Sequence, residues 1–274
     1  MDHDNETIVL TDAVKAATAI NGVVNAWCIL GNIVNIVIIS KTPGMRGFSG
    51  ALIINHAAAE ILQECVTQCI IFLYVVRPRI VQLDICLRLC ILALSGVISH
   101  SLSAVSVNLY LAIFKLQRYS RIVTWKRVFA FLGWSWNFNI ALSSLYYFVP
   151  SFYTVDYNAS TDIVFTNITQ SNCWFLVLIL INVFGIPFCT ATTCFLKIRS
   201  AVKRPTIATI GPNNAKKVQL SQVIHIFTMI YLLTYVPFVI VSLVNVKMEG
   251  IKAVLWTVHT SYHVTKLFLY FKVY

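Results

Sequence analysis

Long apolar blocks separated by short polar segments run along most of the chain. A helix needs about 20 mostly apolar residues to cross the hydrocarbon core of a bilayer. Seven blocks have that length, at about 16–40, 50–75, 85–113, 128–150, 174–196, 221–245 and 253–272. The pattern predicts an all-α membrane protein: a seven-transmembrane helix bundle over 16–272, with a tail at 1–15 before it and no cytoplasmic tail of note after it.

The second block is the least apolar of the seven, because it carries several polar side chains, Glu60 and Glu64 among them. These two glutamates are four residues apart and therefore share one helix face. A carboxylate inside a membrane is costly unless it faces a cavity or a partner. We therefore expect both side chains to point into the bundle.

Composition agrees with a membrane protein and gives no sign of an enzyme. Of the 274 residues 58% are hydrophobic and 11% are charged, with a mean hydropathy of +0.76. A soluble domain is about half apolar and about a quarter charged. The eight cysteines include no CxxC pair, and we find no catalytic triad, HExxH or phosphate-binding glycine loop. We predict no catalytic residues, no metal site and no cofactor.

The net charge of +11 is distributed unevenly between the segments that join the blocks. Three alternate segments carry thirteen basic and no acidic residues: Lys41, Arg46, Lys115, Arg118, Arg121, Lys126, Arg127, Lys197, Arg199, Lys203, Arg204, Lys216 and Lys217. Cytoplasmic segments are enriched in lysine and arginine. This predicts an outside N-terminus and a cytoplasmic C-terminus, with the basic residues beside anionic lipids rather than nucleic acid.

The glycosylation sequons agree with that orientation. They begin at Asn5, Asn158 and Asn167, all in segments predicted to lie outside. Together the charges and the sequons predict a glycosylated multi-pass protein of the plasma membrane.

Several blocks carry motifs in a fixed order. Gly31–Val34 is similar to the Gly-Asn-x-Val of rhodopsin-like (class A) G-protein-coupled receptors, and Asn55–Glu60 resembles the Asn-Leu-Ala-x-Ala-Asp of their second helix. The 28 residues from Asn32 to Glu60 are the family's separation. Ser106–Ile113 resembles the family's Val-Asp-Arg-Tyr-Leu-Ala-Ile at the end of the third helix.

The later blocks continue the resemblance. Trp136 occupies the place of the fourth-helix tryptophan, and Pro187 and Pro237 match the prolines of the fifth and sixth helices. Lys266–Tyr270 stands where Asn-Pro-x-x-Tyr belongs. The resemblance implies a receptor that passes the binding of an extracellular ligand to a heterotrimeric G protein, with helix kinks at the two prolines.

The coupling motif Asn108, Leu109 and Tyr110 departs from the family, which has arginine at the position of Leu109. Asn108 in place of aspartate is similar to melatonin-type receptors. The arginine stabilises the family's resting state and later contacts the G protein. Leucine leaves two alternatives open: altered or absent coupling, as in a decoy, or coupling supported by the remaining basic loops.

The resemblance also implies an outer disulfide between Cys86 and Cys173, with Cys90 as a competitor for Cys86. The remaining five cysteines are expected to be buried thiols: Cys28, Cys65, Cys69, Cys189 and Cys194.

In the family the acid at the Glu60 position helps to hold a sodium ion, near the asparagine that matches Asn32. Lys266 stands at the seventh-helix position that approaches the second helix. We therefore predict a buried Glu60–Lys266 ion pair that replaces sodium. The alternatives are protonated, hydrogen-bonded glutamates, or a Lys266 side chain that extends to the interface.

The resemblance mainly excludes two kinds of ligand, amines and retinal. Ile91 replaces the aspartate of amine receptors, and Thr260 replaces the lysine that carries retinal in opsins. The outer halves of the helices offer a mixture that suits a small neutral or acidic ligand: Arg88, Tyr235, Phe238, His259 and Tyr262.

Two further expectations complete the sequence-based picture. Buried polar residues within spans, namely His100, Asn137 and Asn139, are expected to form interhelical hydrogen bonds. The competing function is a small ion- or proton-coupled transporter or channel that uses Glu60, Glu64 and Lys266 as its path.

Overall fold

The computed structural model describes residues 12–43, 46–76, 81–148, 153–158, 163–168 and 173–202, together with separate residues between 219 and 237. Its helices are α1 Asp12–Lys41, α2 Phe48–Val76, α3 Val81–Phe114, α4 Leu116–Ile122, α5 Trp125–Phe148, α6 Cys173–Leu180 and α7 Ile186–Val202. A π-helical turn, Ile181–Gly185, joins α6 to α7. The first five predicted spans fall on α1, α2, α3, α5 and the α6–α7 pair.

Helix α3 is the centre of the described bundle. It packs against α2, α5 and α7, while α1 packs on the other side of α2. Every residue from Ala93 to Ser103 is buried. This central helix is therefore the element that connects the rest, and the sites described below all include it or its end.

The polarity of the bundle is reversed relative to a soluble protein. Asn25, Glu60 and Gln63 are fully buried, whereas Val23 is 72% exposed and Phe129 61% exposed. Such a surface is suited to lipid, and polar groups in a bilayer face the protein interior. Within the described part of the chain, three helical stretches are long and apolar enough to cross a membrane: Ala19–Lys41, Ile85–Phe114 and Val177–Ser200.

The cysteines show the same reversal. Cys28 and Cys194 are buried as predicted, but the prediction was wrong for Cys65, Cys69 and Cys189, which are exposed on the outer surface of the helices. Because lipid is as apolar as the protein interior, burying a small apolar side chain of a membrane helix gains little free energy.

Local sequence explains where the helices stop and turn. Lys41 lies in the last turn of α1, where a cation offsets the helix dipole, and Pro43 follows the end. Thr124 caps α5, because its Oγ1 accepts from the backbone N–H of Arg127 at 3.4 Å. The π-helical turn directly precedes α7 and its Pro187, which cannot donate a backbone hydrogen bond.

A β-hairpin between α5 and α6 was not predicted. Strands β1 Tyr153–Asn158 and β2 Ile163–Ile168 pair antiparallel, with Tyr153 opposite Ile168. Alternation of polar and apolar residues in YTVDYN, with β-branched residues in both strands, favours the extended conformation. Asn158 ends β1 and Asn167 lies in β2.

Candidate functional site

Glu60 and His56 form the centre of a buried polar cluster on α2. The His56 Nε2 lies 3.1 Å from Glu60 Oε1, and the two side chains are 1% and 0% exposed. The residues are four apart, so successive helix turns bring their side chains together. Across the interface with α3, His56 Nδ1 lies 3.4 Å from the backbone oxygen of Ile98.

The protons of this pair follow from its neighbours. A carbonyl oxygen only accepts, so Nδ1 of His56 carries the hydrogen that faces Ile98. Nε2 faces the Glu60 carboxyl. One further proton held between the two groups would leave the pair without net charge, as an imidazolium with a carboxylate or as two neutral groups. Glu60 thus has a titratable neighbour on its own helix.

Glu64 connects α2 to α1. The amide of Asn25, oriented by its hydrogen-bonding partners, donates from Nδ2 to Glu64 Oε2 at 3.0 Å and to the Asn21 backbone oxygen at 3.2 Å. Its Oδ1 accepts from Gln68 Nε2 at 3.1 Å. The carboxyl of Glu64 is therefore held by a chain of amides between the two helices.

The same face of α2 contacts α3 through Gln63. Ser95 Oγ lies within hydrogen-bonding distance of Gln63 Oε1, at 3.3 Å, and of the Ile91 backbone oxygen, at 2.8 Å. Asn32 is buried in α1, where its Nδ2 donates to the Cys28 backbone oxygen at 3.1 Å. We call the set His56, Glu60, Gln63, Glu64, Asn25 and Ser95 the Glu60 cluster. Lys266 lies outside the described residues, and its ion pair with Glu60 stays a prediction.

A second polar group lies at the basic end of the bundle, where α1 ends, α2 begins and α3 ends. Asn108 Nδ2 donates to Ser49 Oγ of α2, and Asn108 Oδ1 accepts from Tyr119 OH of α4 at 2.9 Å. Burial raises the pKa of Tyr119 above its ordinary value, and the hydrogen bond to Asn108 opposes that rise. The hydroxyl therefore remains a donor at physiological pH. Ser49, Asn108 and Tyr119 form the Asn108 cluster.

Leu109 lies beside this cluster and is part of the apolar core. It is 2% exposed and belongs to the same buried hydrophobic group as Val105, Val123 and Tyr231. Tyr110, in contrast, is half-buried, with Lys197 Nζ 5.6 Å above its ring centre. Where the receptor family has a charged arginine, this chain therefore has apolar packing bordered by a neutral hydrogen-bonded cluster.

Two residues taken from separate sequence motifs meet in the structure. Asn55 Oδ1 accepts from the indole Nε1 of Trp136 at 2.9 Å, and Asn55 Nδ2 donates to Ser101 Oγ at 2.8 Å. This joins α2, α3 and α5 through one amide. The resemblance placed Asn55 and Trp136 in different helices without relating them, so their contact is an independent observation.

A third polar network joins α3, α5 and the π-helical turn. Asn139 Nδ2 lies 3.1 Å from His100 Nδ1, and Asn139 Oδ1 accepts from Asn182 Nδ2 at 3.0 Å. Gly96 makes room for it, since a Cβ there would lie 1.9 Å from Asn139 Oδ1. The structure brings His100 and Asn139 together between helices. Asn137 is exposed and bonds within α5, to the Gly133 backbone oxygen, because it points to the opposite side of that helix.

The remaining predicted residues are only partly placed. Arg88 and Ile91 are half-buried on α3. Pro237, in the sixth block, is helical and half-buried. The other pocket residues and one sequon lie outside the described residues: Tyr235, Phe238, His259, Tyr262, Thr260 and Asn5. Cys86 and Cys90 are exposed thiols on α3, and Cys173 begins α6. The disulfide stays a prediction.

Comparison with known proteins identifies the fold of the chain. No family profile and no curated protein matches the sequence. In structure the chain is similar to squid rhodopsin, with a TM-score of 0.73 and 12% sequence identity over 97% of this chain and 86% of that one. The rhodopsin-like seven-helix fold predicted from the sequence is confirmed. The similarity to melatonin-type receptors stays a prediction.

Proposed function

We propose that this chain is a cell-surface receptor of the rhodopsin-like class, which transmits the binding of an extracellular ligand to a heterotrimeric G protein through its basic end. In this proposal the basic end faces the cytoplasm, as its lysines and arginines predict. The ligand shifts an existing equilibrium between two helix arrangements by its different affinity for them.

The observation that carries the proposal is the arrangement at Asn108 and Leu109. A receptor of this fold needs a contact at the cytoplasmic end of the third helix that holds the resting state and that can be released. The bonds of Asn108 to Ser49 and Tyr119 connect α2, α3 and α4 at that place. All three side chains are uncharged, so the contact can break without leaving a buried charge.

Because Leu109 replaces the family's arginine, other residues must contact the G protein in this proposal. Leu109 is buried in this structure, and we propose that an open arrangement presents it as an apolar contact to the G protein. The segment that follows α3 carries exposed basic residues that would supply charge complementarity: Lys115, Arg118, Arg121, Lys126 and Arg127. We propose coupling by apolar contact and basic loops, in place of an arginine contact.

The proposed ligand is a small neutral or acidic molecule. Ile91 is half-buried on α3, and an aliphatic side chain there provides no counter-ion for an ammonium group. Arg88 lies one turn closer to the outer end of the same helix and is also half-buried. An anionic or polar group of the ligand would bind this arginine. A disulfide between Cys86 and Cys173 and glycans at Asn5, Asn158 and Asn167 belong to the same proposal.

The receptor and transporter hypotheses differ in what crosses the membrane. We would reconstitute the purified chain in liposomes and measure sodium and proton flux, with Glu60→Gln as the variant that removes the transporter's proposed path. The receptor proposal expects the flux of both preparations to equal that of protein-free liposomes. Flux through the unmodified chain that Glu60→Gln abolishes would establish the transporter instead.

A further inference from the structure

A groove of about 410 Å³ runs along the outside of the bundle between α5 and α7, with α3 as its floor. Its apolar walls include Val107, Leu111, Phe131 and Ile186. Trp134 and Phe138 at its edge are 50% and 39% exposed. In a membrane such a surface faces the hydrocarbon of the lipids, so the groove is open to acyl chains.

Polar side chains that line the groove form hydrogen bonds within the protein, so they do not favour a polar ligand. Ser103 Oγ lies within hydrogen-bonding distance of the Pro187 backbone oxygen, at 3.1 Å, and Asn182 donates to Asn139 at 3.0 Å. Asn108, which also lines the groove, donates to Ser49 Oγ. Most of the groove's lining is therefore a hydrocarbon surface. An acyl chain gains little by moving from lipid to such a wall, because both environments are equally apolar. A retained lipid must therefore be held by its headgroup.

Arg127 lines the groove and is exposed, so it can hold a headgroup. Its Nη1 donates to the backbone oxygens of Arg121, at 3.0 Å, and Ile122, at 2.7 Å, at the end of α4. These bonds fix the guanidinium in place, and they use only two of its five N–H donors. A fixed guanidinium binds phosphate through paired hydrogen bonds at a low entropic cost.

The electrostatic setting favours an anion at the same place. Arg127 lies in the first turn of the 24-residue helix α5, where the helix dipole is positive. The sequence contains no acidic residue between Asp84 and Asp156, so no carboxylate of this stretch competes for the arginine. Trp125, 45% exposed, is an aromatic residue of the kind that marks the membrane interface. In a bilayer, Arg127, two residues further along α5, would then lie near the lipid phosphates.

We propose that the α3–α5–α7 groove is a binding site for an anionic phospholipid, with one acyl chain along the groove and the phosphate on Arg127. The basic end then faces the leaflet that carries anionic lipid. Arg127 is also one of the basic residues proposed to support coupling, but lipid binding is measured without a G protein, so its failure and the failure of the receptor proposal are distinguishable.

The test is native mass spectrometry of the full chain, with phosphatidylglycerol or phosphatidylcholine of equal acyl composition added. The variants are Arg127→Gln, which removes the phosphate contact, and Ala104→Phe, which fills the groove. Lys126→Gln is the matched control, since Lys126 is the adjacent exposed cation but does not line the groove. Thermal unfolding verifies that each variant is folded.

We expect the unmodified chain to retain phosphatidylglycerol preferentially. Arg127→Gln should weaken this binding about tenfold, as expected for the loss of charged hydrogen bonds, and Arg127→Lys should restore part of it. Ala104→Phe should also weaken it, and Lys126→Gln should not. Equal losses from Lys126→Gln and Arg127→Gln, with Ala104→Phe unaffected, would show diffuse attraction and overturn the site. Equal retention of the two lipids would overturn it too.

Discussion

The imidazole of His56 and the carboxyl of Glu60 are 3.1 Å apart on successive turns of α2, and both are sealed from solvent. Because His56 Nδ1 faces the Ile98 carbonyl, the remaining nitrogen is directed to the acid. A proton held between the two groups would leave the pair without net charge. At the position that the resemblance relates to the family's sodium site, this chain therefore has an imidazole beside the acid.

The first prediction concerns sodium. We expect that replacing Na⁺ by choline does not change the thermal unfolding temperature of the unmodified chain in nanodiscs, because a proton shared by His56 and Glu60 would make a cation unnecessary. His56→Leu should make that temperature rise with Na⁺, because the acid then needs a cation. His56→Leu combined with Glu60→Gln should lose the dependence again. A sodium response in the unmodified chain that His56→Leu leaves unchanged would contradict this account.

A double-mutant cycle identifies the partner of Glu60. We expect Glu60→Gln and His56→Leu to couple by about 0.5–3 kcal/mol in unfolding free energy, as for residues in direct contact. The same cycle with Lys266→Met tests the ion pair predicted from the sequence. A larger coupling with Lys266 than with His56 would make the lysine the main partner and refute the assignment to His56.

Gly96→Ala should destabilise the protein by about 1–3 kcal/mol, because the new methyl group would overlap Asn139 and break its bonds to α3 and the π-helical turn. Gly133→Ala is the control: nothing lies within 4 Å of a Cβ there, and alanine favours the helix. It should be neutral or stabilising. Gly96→Ala should be partly rescued by Asn139→Ala. Equal effects of the two glycine substitutions would exclude a steric role for Gly96.

Tyr119→Phe should raise basal nucleotide exchange. The substitution deletes the hydroxyl that donates to Asn108, and a hydrogen bond made only in the resting arrangement contributes about 0.5–1.5 kcal/mol. That corresponds to a roughly 2- to 10-fold shift toward the open arrangement. Ser49→Ala should act in the same direction, and Tyr157→Phe on the hairpin should have no effect. Lower exchange in Tyr119→Phe would mean that the hydroxyl supports the open arrangement.

Leu109→Arg should lower the thermal stability more than Leu109→Met, which should cost less than about 1.5 kcal/mol. The arginine would enter a site that is 2% exposed and apolar, with a neutral Asn108 next to it. Adding Asn108→Asp should recover part of the loss, because it supplies a counter-ion. Leu109→Arg as stable as Leu109→Met would show that the site opens to solvent.

The sequence predicted the fold because bilayer thickness and backbone hydrogen bonding permit few solutions for long apolar blocks. It also predicted that Glu60 and Glu64 are buried, since a carboxylate in a span is too costly to expose to lipid. The contacts of Glu60 with His56 and of Glu64 with Asn25 were not predicted, because a single sequence does not specify which side chains meet inside a bundle. The ion pair of Glu60 with Lys266 stays a prediction.

Other features depend on packing, which a single sequence does not specify. The contact of Asn139 with Asn182 requires a glycine on a third helix, and no pattern relates Gly96 to either asparagine. The groove between α5 and α7 results from how far two helices separate on α3. The hairpin between α5 and α6 does have a sequence signal, the alternation of polar and apolar residues in Tyr153–Asn158.

The measurement that tests the central claim most directly is basal nucleotide exchange on a panel of heterotrimeric G proteins. It would use membranes from cells that express the unmodified chain or Leu109→Arg at matched surface density. We predict that the unmodified chain drives exchange on at least one G protein above the level of empty membranes, by apolar contact and basic loops. Exchange that only Leu109→Arg drives would contradict this and identify a decoy; no exchange with either chain would contradict receptor function.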